Sequence, residues 1–189
     1  MTFLIVGVVL WSVTHLIPST LPQVRTSLIG KLGIGPFKGL FAIDILLALF
    51  LIIFGWKASE PVAIYTPPLA GNEIAAVLML VGLILFVASS VQGNIKRYVR
   101  HPQMLGVICW GVAHLLANGD SRSLILFGGL STWAVLEIIF INRRDGIWEK
   151  PAVRPVKMDL ITVIAGAAAF AALLYFHARL FGASVAILG

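Results

Sequence analysis

Along this chain apolar residues run on for several helical turns at a time, and polar residues collect in the short intervals between the runs. An α-helix needs about 20 apolar residues to cross the hydrocarbon core of a bilayer. Six runs come near that length, at residues 2–17, 37–56, 72–92, 102–117, 121–141 and 158–180. Pro18 is expected to close the first. Residues 19–36 carry Pro22, Arg25, Lys31 and three glycines, which suits a short amphipathic helix at the membrane surface. Pro61, Pro67 and Pro68 rule out a helix through 57–70. Residues 93–101 form a basic connector. Pro102 is a favoured first helical residue, because its missing N–H would have no partner there anyway. Asn118-Gly119-Asp120 reads as a turn, and 142–157 as a charged loop. No internal repeat is evident along the chain.

Composition turns these runs into a class. Hydrophobic residues make up 59% of the 189 and charged residues 12%, against about a quarter charged in soluble domains. The mean hydropathy is +0.99. The expected fold is an all-α integral membrane protein, a bundle of about six transmembrane helices in a single domain over residues 1–189. The net charge of +6 is not a nucleic-acid signal, since Lys and Arg cluster on the cytoplasmic side of membrane proteins. Arg25, Lys31, Lys38, Lys96, Arg97, Arg100, Arg143, Arg144, Lys150, Arg154 and Lys157 follow spans one, three and five. Only Lys57, Arg122 and Arg179 fall on the other side. That bias puts both termini outside. Met1-Thr2-Phe3 offers no cationic leader, so the first run is expected to remain as a helix. The single cysteine, Cys109, excludes an intramolecular disulfide and a cysteine-based zinc site.

Ionisable residues within spans are then the candidates for function. Asp44 and Glu137 lie roughly 7–11 Å from the cytoplasmic ends of their helices at ~1.5 Å per residue. His15 ends span one on that side, and Arg100 and His101 begin span four there. Together with Ser89, Ser90 and Gln92 they define one polar layer. His114 lies deeper, roughly 17 Å along span four. It points roughly 220° around the helix from His101, so the two do not serve one ligand. A planar cofactor held by His15 and His114 is sterically feasible, with Gly106 and Gly111 allowing close approach. The plainer alternatives are that His15 caps its helix, that His101 bonds a lipid phosphate or a carboxylate, and that Asp44 and Glu137 pair with Arg100 or Arg143. The tryptophans read as packing or belt residues. His177 reads as interfacial, without a role.

The motif Arg100-His101-Pro102-Gln103-Met104-Leu105-Gly106, continued by Trp110-Gly111-Val112-Ala113-His114-Leu115-Leu116-Ala117-Asn118-Gly119-Asp120 and Leu126-Phe127-Gly128, resembles the NnrU family. Thr14-His15-Leu16-Ile17-Pro18-Ser19 and Phe37-Lys38-Gly39-Leu40-Phe41 fit it as well, so the likeness covers essentially the whole chain. The family includes bacterial proteins linked to denitrification and nitric-oxide metabolism, and the plant 15-cis-ζ-carotene isomerase, which carries haem b on histidines. The resemblance implies a bacterial inner-membrane protein with haem b on His15 and His114, and with Arg100 and His101 binding the propionates or ordering the polar layer. Where the plant enzyme has a cysteine three residues before its second histidine, this chain has Gly111. Cys109 is out of register, so exchange to a thiolate ligand is not expected.

Arg100-His101-Pro102-x-x-x-Gly106 is also similar to a signature of membrane methyltransferases. Met104 replaces its tyrosine, however, and the later paired glutamates have no counterpart. The functions expected are therefore haem binding in support of nitric-oxide or denitrification metabolism, or haem-dependent cis–trans isomerisation of an apolar polyene such as ζ-carotene. A haem-free structural or assembly factor is the remaining alternative. The bilayer is the expected partner of all three, with nitric oxide or a polyene as ligand and a redox partner left unnamed.

Overall fold

The computed structural model describes residues 1–182. It is helical, with one isolated antiparallel bridge, Ala63 to Asp120, outside the helices. In chain order the helices are α1 (Thr2–Thr20), α2 (Pro22–Leu32), α3 (Ile34–Lys57), α4 (Gly71–Ser90), α5 (Pro102–Ala117), α6 (Ser121–Asp145) and α7 (Lys157–Phe181). Five of them, α1, α3, α4, α6 and α7, are long and apolar enough to cross a membrane. With 16 residues, α5 reaches only about 24 Å at the usual helical rise. The apolar runs thus become an all-α membrane bundle of five full-length spans and one shorter apolar helix.

Several ends differ from expectation. Pro18 lies inside α1, which continues to Thr20. In a last turn a proline forfeits a single backbone bond, and the Thr20 hydroxyl adds a bond to the Leu16 carbonyl there. Polar residues carry α6 on to Asp145, beyond the apolar run. Its second turn, Leu124–Gly128, is a π-helix.

The chain divides into two compact units. The first comprises Met1–Tyr65 with Asp120–Gly146, and so holds α1, α2, α3 and α6. Its core is Leu4, Val8 and Ile52, packed against Trp11, Trp56, Ile125, Leu126 and Leu130. Side chains on α1 and α3 are small where the helices touch. A Cβ at Gly55 would overlap the backbone of Leu4, and one at Gly7 would come within 2.7 Å of the Ile52 nitrogen. Lipid offers helices no hydrophobic incentive to associate, so such close van der Waals packing is what holds them. Large residues instead face outward along α3: Ile43, Leu46 and Phe50 are each more than half exposed.

Asp120 caps α6, accepting from the backbone N–H groups of Arg122 and Ser123 and from the Ser123 hydroxyl. Arg122 returns to the C-terminal end of α3. Its guanidinium donates to the Ser59 carbonyl at 3.2 Å and lies 4.7 Å over the Trp56 ring. At 3.7 Å its Nε feels the charge of Asp120 but is too far for a hydrogen bond.

The second unit comprises Thr66–Gly119 with the segment from residue 147 on, and so holds α4, α5 and α7. Here α4 is packed on by both of the others. A Cβ at Gly106 would sit 2.9 Å from the Gly82 carbonyl oxygen, and one at Gly166 would sit 2.7 Å from the Ile84 Cα. The basic connector contains a 3-10 turn, Asn94–Arg97. Asp159 holds its start by accepting from the Asn94 backbone and amide nitrogens at 2.6 Å and from the Ile95 nitrogen at 3.2 Å.

Candidate functional site

A histidine in hydrocarbon has to place its ring N–H on an acceptor, and the nearest carbonyls belong to its own helix. In the first unit His15 Nδ1 lies 2.8 Å from the carbonyl oxygen of Trp11, one turn back. A carbonyl can only accept, so Nδ1 carries the proton and the neutral ring keeps its lone pair on Nε2. Three rings surround this imidazole: Trp11 at 4.4 Å, Trp133 of α6 at 5.1 Å and Phe41 of α3 at 5.7 Å between centroids.

The acids of this unit meet hydroxyls. Thr14, adjacent to His15, donates to Asp44. Ser19, 4% exposed, donates to Glu137 at 3.0 Å. α1 presents Thr14 to α3 at the level of Asp44. His15, Asp44 and Glu137 are thus gathered around the last two turns of α1.

In the second unit His114 repeats the arrangement. Its Nδ1 lies 2.8 Å from the Trp110 carbonyl, and the Trp110 ring is 5.4 Å away. On another side stands His177 of α7, 6.5 Å between centroids and tilted by 28°. His177 therefore packs on a candidate site residue, where sequence had assigned it no role. Arg100 and His101 stand at the opposite end of α5, with His101 at the cap position before Pro102. Thirteen residues separate His101 from His114, about 20 Å along a helix, so those two residues do not share the surroundings of His114.

Two findings bear on what the histidines could hold. Trp11 and Trp133, both against His15, bury their indole Nε1 atoms without a hydrogen-bond partner, and Trp133 is 6% exposed. A buried donor left unmade costs about 1–3 kcal/mol, so each is ready for an acceptor on a ligand. Among the described residues no group of three or more His, Cys, Asp and Glu side chains could hold a bare metal ion. Single imidazoles with Nε2 lone pairs fit instead a metal that arrives with most of its ligands, such as the iron of haem b. The donor set therefore fits that group.

Apolar helices with small residues where they pack and large ones exposed define a membrane protein, with one tryptophan-packed histidine in each unit. The chain belongs to the NnrU family, whose model, described as NnrU protein, matches residues 3–185. No curated protein and no solved structure matches it.

Proposed function

We propose that the protein binds haem b in the bacterial inner membrane, where His15 and His114 would hold the iron through Nε2, in support of nitric-oxide or denitrification metabolism. One shared observation carries the reading: both histidines give Nδ1–H to the carbonyl four residues back. Metal-bound imidazoles are characteristically held in this way, with the second nitrogen on a carbonyl or carboxylate. When bound, haem would supply an iron that exchanges single electrons.

The rest is the work of the chain. Trp11, Trp133 and Phe41 fix the His15 ring and exclude water from it, and the two indole N–H groups offer bonds to an acceptor on the ligand. At the start of α5 an anion is favoured by the Arg100 charge, by hydrogen bonding from His101 and by the helix N–H groups. Lying far from His114, these two residues suit the carboxylate edge of a macrocycle or a lipid phosphate rather than the iron. Asp44 and Glu137 order the polar end of α1. The distribution of Lys and Arg supports both termini being periplasmic.

Absorption spectra of the detergent-purified protein, oxidised and then reduced, test the reading. Wild type is expected to show sharp reduced α and β bands. His15→Ala and His114→Ala should each lose or shift them and bind haem at least ~10-fold more weakly, the order seen when ligand geometry is disturbed. A protein that stays colourless after reconstitution would sink the proposal and leave a haem-free structural role.

A second reading, isomerisation of an apolar polyene, is favoured by one feature of the second unit. A cavity of about 250 Å3 between α4 and α5, lined by Met79, Leu83, Phe86 and Trp110 among others, is almost wholly apolar. Conversion of an added cis polyene only after reduction would support it, and no conversion would leave haem binding as the function.

A further inference from the structure

The chain repeats itself over one short stretch. Trp11-Ser12-Val13-Thr14-His15-Leu16-Ile17 and Trp110-Gly111-Val112-Ala113-His114-Leu115-Leu116 share Trp, Val, His and Leu at the same positions, with a further aliphatic residue after the leucine. The conformation repeats too. In each copy the imidazole Nδ1 is 2.8 Å from the tryptophan carbonyl, and the tryptophan ring packs on the imidazole, at 4.4 Å and 31° in one and at 5.4 Å and 54° in the other. The copies lie in different units and in helices with different neighbours. A shared arrangement therefore has to come from the repeated residues.

We propose that Trp11 and Trp110 are positioning residues of a duplicated histidine module, each holding its imidazole as the Nδ1–H tautomer with Nε2 as the binding nitrogen. Free neutral histidine favours the other tautomer, with the proton on Nε2. The module inverts that preference. Side chains on a helix lean toward its N-terminus, over the turn before, which brings the imidazole to the carbonyl of the residue four back. That carbonyl already accepts a helix N–H and takes the ring N–H as a second bond. The bond lasts only while the ring keeps one rotamer, and the indole on the same turn fills the space into which the ring would otherwise swing. A tryptophan that did not restrict the imidazole rotamer would be indifferent to which nitrogen carries the proton.

The inference rests on the haem reading only for what Nε2 binds; the tautomer does not depend on it. The test is nitrogen NMR of the full chain with 15N-labelled histidine in lipid nanodiscs, without haem, at a pH where the imidazoles are neutral. Wild type should show Nδ1–H for both His15 and His114. Trp11→Leu should bring the Nε2–H form of His15 up about 10-fold, the scale of one hydrogen bond, and leave His114 unchanged. Trp110→Leu should do the reverse, and Trp→Phe, which keeps a ring in place, should restore wild-type ratios. Nε2–H signals in wild type, or ratios that ignore the tryptophans, would overturn the proposal. If the tautomers behave as expected and the protein still takes up no haem, the haem reading fails alone.

Discussion

Single residues here are governed by the cost of an unmade hydrogen bond in a medium without water. Thr14, Ser19 and Ser123 all give hydroxyl protons to carboxylates, and His15 and His114 give theirs to the helix. An ionisable group within an apolar run stands out in the sequence, and His15, Asp44, His114 and Glu137 are marked on that ground. Their partners are not, since Trp133, Phe41 and His177 lie tens of residues away in sequence and only packing brings them in.

Asp120 gives a prediction at this scale. Burial alone would raise its pKa, but the bonds from the Ser123 hydroxyl and from the Ser123 and Arg122 N–H groups, with the Arg122 charge, hold it below the usual carboxylate value. A depressed folded pKa stabilises the fold above the unfolded value of about 3.9, and the gain is lost as pH falls through the folded pKa. Asp120→Ala should therefore cost about 1–2 kcal/mol near neutral pH, as lost caps do. Thermal melting in detergent should show the gap between variant and wild type closing as the pH is lowered below 4. A gap that stays constant with pH would assign the loss to packing.

Element existence was the most legible level, because crossing hydrocarbon demands a continuous apolar run and little else. Helix ends were less legible: α1 runs through Pro18 and α6 continues over Asn142, Arg143 and Arg144, since helical bonding does not stop where hydrophobicity does. The π-segment Leu124–Gly128 has no signature among its apolar residues. It changes register all the same. One extra residue in a turn rotates everything after it by roughly 100°, which turns Trp133 toward His15 and Glu137 toward Ser19. Deleting Leu126 should restore the α-register and swing both away from α1. The ultraviolet circular dichroism should then show helix content kept, while, on the proposed haem reading, the bands of the reconstituted protein change at least as much as in Trp133→Ala. Wild-type bands in the deletion would mean that the register is not used. The seven-residue repeat is faint in the sequence for a related reason: it is short, and it sits late in both α1 and α5, where neighbouring residues differ.

At the scale of the whole molecule, two units of three long or apolar helices each account for the described chain. Sequence spoke for one domain over 1–189; the family match covers 3–185, and the structure divides into two compact units. Orientation belongs to this scale as well. With Lys and Arg setting topology, a cysteine placed at Ser27 or Lys150, in a Cys109→Ala background, should resist an impermeant maleimide in intact cells, and one at Glu60 should react. The opposite pattern would invert the proposed orientation.

The brevity of α5 has a consequence for the lipid. A helix of about 24 Å in a hydrocarbon core of about 30 Å is mismatched. Where α5 crosses, the bilayer thins beside it, or Arg100 and His101 at one end and the Asn118-Gly119-Asp120 turn at the other are drawn below the headgroups. Either way the polar boundary dips toward the membrane centre at this one helix, the helix that carries His114. Acyl-chain length then acts on the protein much as a core substitution acts on a soluble one: thicker membranes strain this wall of the bundle, and thinner ones relieve it.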